Sequence, residues 1–237
     1  MAIKKILIVN DDGIYHDTFK KTVLEFMRLG YDVTVCAPLN PQSAKSHAIE
    51  IRQEIAFKKV DIFGDIDAYA IDSTPADCVR FAKYHLDWQG DLVVSGINNG
   101  LNLGDDILYS GTVAASAEAG IRGYNTIALS SEYNVPENGL KYIKNVMDFI
   151  EENDLFSKWN AWSFNIPANP KGFRLAHQGD VHFSTYFEEV KQGYFLQLGR
   201  PHHELDLDSE SDVYLYEKGY VTYSAISQDR TCNEKIK

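Results

Sequence analysis

The chain has 237 residues and a formal net charge of −11, and 44% of its residues are hydrophobic. That length suits one large domain, or a domain with an extension, built on a substantial core. The acidic balance argues against nucleic-acid polymers as partners, although a bound cation can reverse the local field for a small phosphorylated substrate.

The three cysteines, Cys36, Cys78 and Cys232, form neither a zinc spacing nor a disulfide framework, as in a reducing compartment. The N-terminal apolar run is too short for a signal-peptide core, and no run elsewhere approaches a membrane span. A cytoplasmic protein with no membrane partner is expected.

Ile6-Leu-Ile-Val9 reads as a strand buried on both faces, ended by Asn10-Asp-Asp-Gly13. Phe19, Val23, Phe26 and Met27 then fall at helical spacing over 17–29, and Gly30 stops that helix. Tyr31 to Ala37 is the next strand, closed by Pro38. Strand, helix, strand is the start of a right-handed parallel crossover. Residues 39–67 are irregular, with strands expected within 49–57 and 58–70. Ser73-Thr-Pro-Ala-Asp77 starts a helix that continues to about Leu86. Leu92 to Val94 is a strand that breaks into a loop, Ser95-Gly-Ile-Asn-Asn-Gly-Leu-Asn-Leu-Gly104. A small-residue helix over 112–121, a strand over 126–130, an amphipathic helix over 140–151 and a strand over 162–166 follow.

This alternation predicts an α/β fold: a Rossmann-like, mostly parallel sheet with helices on both faces, over residues 1–167. Residues 168–237 read as a β-rich extension or oligomerisation arm. In it, Val181–Phe187 and Tyr194–Leu198 flank Lys191-Gln-Gly193 as a long hairpin. Val213–Tyr216 and Tyr220–Tyr223 flank Lys218-Gly219 as a closing hairpin. Between them Leu205 to Asp212, rich in acidic residues, reads as a solvated linker.

Polar groups gather where strands end. Adjacent carboxylates at Asp11 and Asp12 repel each other, and burial raises at least one pKa unless a cation sits between them. Hard divalent ions take such oxygens, while a helix N-cap accounts for one of the two aspartates. Ser43, Asn98 and Asn102 also fall at strand ends. Turn chemistry explains each singly, but oxygen ligands from three loops would converge at the switch point of a doubly wound sheet. Ser110-Gly111-Thr112 precedes a helix and offers either an anion site or a plain cap. It is neither a Walker A loop nor a dinucleotide fingerprint. His47 is the histidine placed nearest this edge, for orienting a ligand, proton transfer or packing. Asp105 and Asp106 are read as structural.

Two resemblances come from different functional classes. The segment Lys5 to Asp12, then a helix, then Gly30-Tyr-Asp-Val33, resembles a Mg²⁺-binding two-component receiver. Such a domain needs an acceptor aspartate where Ser95-Gly96 stands and a lysine where Ser130-Ser131 stands. The stronger likeness rests on Asn10-Asp-Asp-Gly13, Gln42-Ser43 with His47, Thr74-Pro-Ala-Asp-Cys78, Ser95 through Asp105, and Tyr109-Ser-Gly-Thr-Val113. These occur in the order found in the SurE family of 5′/3′-nucleotidases, which the chain resembles over residues 5–131. Phe164-Asn-Ile-Pro167 and Gly219-Tyr-Val221 extend the likeness more weakly.

That resemblance implies one divalent ion per subunit, Mg²⁺ or Mn²⁺, held by Asp11, Asp12, Ser43 and Asn98. It implies phosphate binding by Asn10, Asn98, Asn102, Ser110, Gly111 and Thr112, with Asp11 and Asp12 catalytic. The implied activity is hydrolysis of nucleoside monophosphates, with short polyphosphate a further substrate of some members. Homodimers or homotetramers are implied too. The chain ends soon after Cys232, where the family has a C-terminal helix.

Overall fold

Ile6, Leu7, Ile8 and Val9 are all fully buried, which requires a layer on each face of their strand. The structure is a computed structural model that describes residues 3–180, 183–201, 208–229 and 231. Its elements begin β1 Lys5–Val9, α1 Asp17–Arg28, β2 Asp32–Pro38, β3 Phe57–Lys59, β4 Asp67–Ile71 and α2 Pro75–Tyr84. They continue β5 Leu92–Asn99, α3 Asp106–Tyr109, α4 Gly111–Ile121, β6 Asn125–Ser131, α5 Pro136–Glu152, α6 Leu155–Lys158 and β7 Ala161–Ile166. The chain closes with β8 Phe173–Leu175, β9 Phe183–Lys191, β10 Tyr194–Pro201, α7 Asp212–Glu217 and β11 Val221–Ala225.

The main sheet has the order β3-β4-β2-β1-β5-β6-β7-β11-β8. Strands β4 through β7 in that order are parallel. β3 runs antiparallel to β4 and β11 antiparallel to β7, while β8 is parallel to β11. Alternation along β1 sends Ile6 and Ile8 to one face, where Phe19, Phe26, Ile143 and Val146 of α1 and α5 cover them. Leu7 and Val9 point the other way, against Val79 and Ala82 of α2 and Ala115 and Ala119 of α4. The expected α/β architecture is thus present. The strand order reverses at β1, so the carboxyl ends of β1, β2 and β5 flank a crevice.

Several expectations need correction. Of residues 49–57, only Phe57 enters a strand, because the preceding loop folds over α2 instead. β5 continues through the glycine loop to Asn99, where its register with β6 shifts between Ser95 and Asn98. The long hairpin forms as β9 and β10, although Val181 lies outside the described residues. The closing hairpin does not form. Ser211 accepts a hydrogen bond from Tyr214 N at 3.1 Å and starts helix α7, and β11 pairs with β7. A four-residue apolar alternation is too short to separate strand from helix, and the hydroxyl cap decides.

The acidic linker is corrected at its end. Asp212 is 1% exposed, and its carboxylate accepts from Gly104 N at 3.1 Å and Gly179 N at 2.8 Å. Gly104 has φ 53°, and a Cβ there would run into the Asp180 carbonyl. Residues 205–207 of that linker, and Cys232 onward, lie outside the described residues. Among the described residues no helix is long and apolar enough to cross a membrane.

Asp212 fastens the end of the glycine loop to the segment after β8. Asp212→Ala leaves a buried and a half-buried amide without their acceptor and should lower the unfolding free energy by about 3 kcal/mol, read by urea denaturation. An unchanged midpoint and slope would remove this anchor from the fold.

Candidate active site

The crevice floor is the turn after β1. Asn10 is fully buried, and its Nδ2 donates to Gly13 O at 3.1 Å, which closes the turn. Asp11 is 3% exposed, and its Oδ1 accepts from Thr112 Oγ1 at 2.7 Å. Gly111 brings the start of α4 against this carboxylate. A Cβ on Gly111 would lie 2.8 Å from Asp11 Cβ and 3.0 Å from Asp11 Oδ2.

Burying two neighbouring carboxylates has an electrostatic consequence. Desolvation pushes Asp11 up to about 6, against the Thr112 hydrogen bond, and repulsion from Asp12 adds to the rise. Desolvation also raises Asp12, opposed by His16 and the Asn99 amide. Asp12 Oδ2 and Asn10 Oδ1 are buried with no hydrogen-bond partner. Two unsatisfied buried acceptors beside this carboxylate pair call for a hydrogen-bond donor or a positive group.

The other expected residues come from three directions. The Gln42 amide donates to Asp11 O at 2.7 Å, so the loop bearing Ser43 lies beside the pair, with Ser43 itself exposed. Asn98 is half-buried and donates through Nδ2 to Gly100 O at 2.9 Å, leaving its oxygen as the end available to a cation. Ser110 is 7% exposed and caps α4, accepting from Val113 N at 3.1 Å, with its own hydroxyl proton still to donate. Thr112 is turned to Asp11 by its hydroxyl. Asn102 sits deeper. It is 4% exposed, its Nδ2 donates to Ser130 Oγ at 2.7 Å, and its backbone exchanges bonds with the Asn165 side chain.

A family model described as "Survival protein SurE" matches residues 6–185. The chain belongs to the SurE family. It is 36% identical to a protein of Thermosipho melanesiensis named 5′-nucleotidase SurE, with 98% of this chain and 94% of the relative covered. A protein of the same name from Petrotoga mobilis is 35% identical, with 94% and 92% covered. The crystal structure of the SurE protein from Aquifex aeolicus aligns with a TM-score of 0.78 at 28% identity, covering 96% of this chain and 94% of that one.

SurE membership goes against the receiver reading, and the strand ends agree. Ser95, Ser130 and Ser131 are buried hydroxyls where a receiver needs a carboxylate and an amine. His47 does not face the aspartates: its Nε2 lies 3.0 Å from Glu118 Oε2. Two contributors escaped the sequence reading. Asn165 locks Asn102 in place, and its sequence signals are its place in Phe164-Asn-Ile-Pro167 and a polar residue within an apolar run, neither of which names its partner. The Asn99 amide, a backbone group, leaves no signal at all.

Asp11 generates a prediction about pH. Its folded-state pKa of about 6 lies above that of the unfolded chain, so the native state holds the proton more tightly. This contribution to stability is full below about pH 4 and is lost as pH rises through about 6, a change of ~3 kcal/mol. Asp11→Asn keeps an acceptor for Thr112 and removes the charge. In metal-free protein the stability of wild type relative to this variant should therefore fall between pH 4 and pH 7, by chemical denaturation. A pH-independent difference would show that Asp11 is not buried as described.

Proposed function

We propose that this chain is a divalent-metal-dependent phosphatase that hydrolyses nucleoside 5′- and 3′-monophosphates to nucleoside and phosphate, with short polyphosphate as a further substrate. The observation that carries this reading is the Asp11–Asp12 pair, Asp11 buried and Asp12 half-buried with one buried, unpartnered oxygen, against the N-terminus of α4. The 5′-nucleotidase names of the relatives supply the substrate class.

Asp11, Asp12, Ser43 and Asn98 would hold one Mg²⁺ or Mn²⁺ per subunit. The donor set fits: two carboxylates, a hydroxyl and an amide oxygen are hard ligands, and among the described residues no cluster of three or more His, Cys, Asp or Glu side chains offers a softer site. When bound, the ion neutralises phosphate charge and orients a water for attack. Ser110 donates its hydroxyl proton to a phosphate oxygen, and the amides at the start of α4, Gly111 and Thr112, face the same anion. Asn10 and Asn102 each keep one amide hydrogen for the same purpose. Asp11 or Asp12 would accept the proton of the attacking water.

The exposed apolar side chains of the β9–β10 hairpin, Phe187, Val190, Tyr194, Phe195 and Leu196, support assembly as a homodimer or homotetramer.

A phosphate-release panel tests the reading: nucleoside monophosphates, short polyphosphate and p-nitrophenyl phosphate, each with Mg²⁺, Mn²⁺ or EDTA. Release that requires metal is expected, and silence with every substrate and metal would overturn it. Asp12→Asn should abolish metal-dependent turnover with the fold retained, and full activity with added Mg²⁺ would refute that role. Ser110→Ala should raise KM or lower kcat by about tenfold or more. Unchanged kinetics would take Ser110 out of the site.

A further inference from the structure

The loop after β2, which carries Ser43, has two residues in a backbone conformation that side chains disfavour. Ala44 has φ 57° and Ser46 has φ 54°, on either side of the exposed Lys45. Such residues persist only where the surroundings over-determine them. Before the tip, Gln42 is bonded to Asp11. After it, Ser46 N donates to Tyr109 O at 2.9 Å, and Ser46 Oγ donates to Leu108 O at 2.7 Å. Those two carbonyls lie just ahead of Ser110. Thr74 Oγ1 then donates to Ala48 O at 2.7 Å.

Between these anchors stands His47, whose Nε2 reaches Glu118 Oε2 at 3.0 Å. Glu118 is 3% exposed in a helix of small residues, an expensive place for a carboxylate. Arg80 Nη1 lies 3.0 Å from its other oxygen, and Arg122 Nε lies 2.9 Å from that same atom. Burial pushes Glu118 up, but the His47 bond and the two arginines outweigh it and hold the carboxyl below its ordinary range. Glu118 is thus a fixed, ionised acceptor with one oxygen turned to His47. A hydrogen bond to a charged acceptor is stronger than the neutral bonds made by Ser46 and Ala48.

We propose that His47, through Glu118, is a positioning residue: with Ser46 it latches the Ser43 loop onto α4, so that the metal ligand Ser43 and the phosphate donors of Ser110 keep one fixed spacing. The latch rests on the reading of Ser43 as a metal ligand. It makes His47 neither a ligand nor a proton carrier. Its partner is on the helix whose first turn touches Asp11, so loop and helix are locked as one unit.

Lys45 makes the latch measurable, because trypsin cuts after it only when the loop opens. The full chain would be digested without metal as wild type, His47→Ala and His47→Gln. Mn²⁺ binding would be followed by calorimetry, and turnover measured at saturating Mn²⁺. Glu118 keeps Arg80 and Arg122 in every variant, so the fold should survive. For His47→Ala, cleavage at Lys45 should speed up about tenfold and the Kd for Mn²⁺ should rise about tenfold, with kcat at saturating Mn²⁺ near wild type. The Gln carboxamide can donate to the same Glu118 oxygen, and His47→Gln should stay within about twofold of wild type in both measurements.

Unchanged cleavage and Mn²⁺ affinity in His47→Ala would overturn the latch. Lost kcat with unchanged Mn²⁺ affinity would also overturn it, making His47 a group that acts on substrate. Wild type that binds Mn²⁺ but releases no phosphate from any ester would sink the phosphatase reading alone, with the Lys45 and Mn²⁺ measurements still deciding the latch. Wild type that does not bind Mn²⁺ would overturn the latch together with the metal role of Ser43.

Discussion

A buried carboxylate, Asp11, beside a half-buried one, Asp12, at the end of a buried strand is the constraint around which this protein is arranged. An ionised carboxylate leaves water only at a high free-energy cost unless hydrogen bonds or an opposite charge compensate. Here compensation is partial. Thr112 satisfies one oxygen of Asp11, the Asn99 amide and His16 favour the ionised form of Asp12, and one Asp12 oxygen has no partner. The raised pKa of both groups expresses that shortfall. The cation we propose would remove it, so the feature that weakens the metal-free protein is the one that would give the loaded protein its affinity.

The surroundings are correspondingly stiff. The glycine loop, built mainly of small and amide residues, is fastened at several points along its length. Asn102 and Asn165 exchange bonds in both directions, Ser130 takes the remaining amide contact, and Asp212 holds Gly104. Each group is buried and bonded, so moving any one would leave its partner unsatisfied. A site that must place several oxygens around one point depends on that rigidity, since a ligand set has to be held within fractions of an ångström.

The sequence shows the scaffold more readily than these fastenings. Continuous apolar runs at 6–9 and 126–130, and helical spacing at 17–29 and 140–151, carry the parallel sheet and its two helix layers because burial of whole faces is periodic. The aspartate pair and the Ser110 cap are legible too, because polar residues stand where an apolar run stops. Asp212 and Asn165 act through distant backbone amides, and no local pattern encodes such a partner. Residues 213–216 were misread for a different reason: Val-Tyr-Leu-Tyr fits period 2 as well as one helical turn. The choice is made by the Ser211 hydroxyl and by the Asp212 carboxylate, which turns inward.

A chain of charge −11 would seem a poor receptor for a phosphate dianion. The resolution lies in distance. Charges beyond about 10 Å are screened at ordinary salt, whereas groups inside a desolvated crevice act almost unscreened. Within that range the start of α4 presents its amides and its partial positive charge, and Gly111 lets it approach Asp11 to contact. The aspartates are the opposing local charge, and the proposed ion would invert their sign for an incoming anion. Net charge then bears on solubility and on rejection of polyanions, while recognition of the phosphate ester we propose would be set by a few groups at the end of β1. The same argument explains why Glu118 is tolerated about two turns along α4 from Gly111. Arg80 and Arg122 neutralise it locally, so it can anchor His47 without adding an unbalanced negative charge to the crevice.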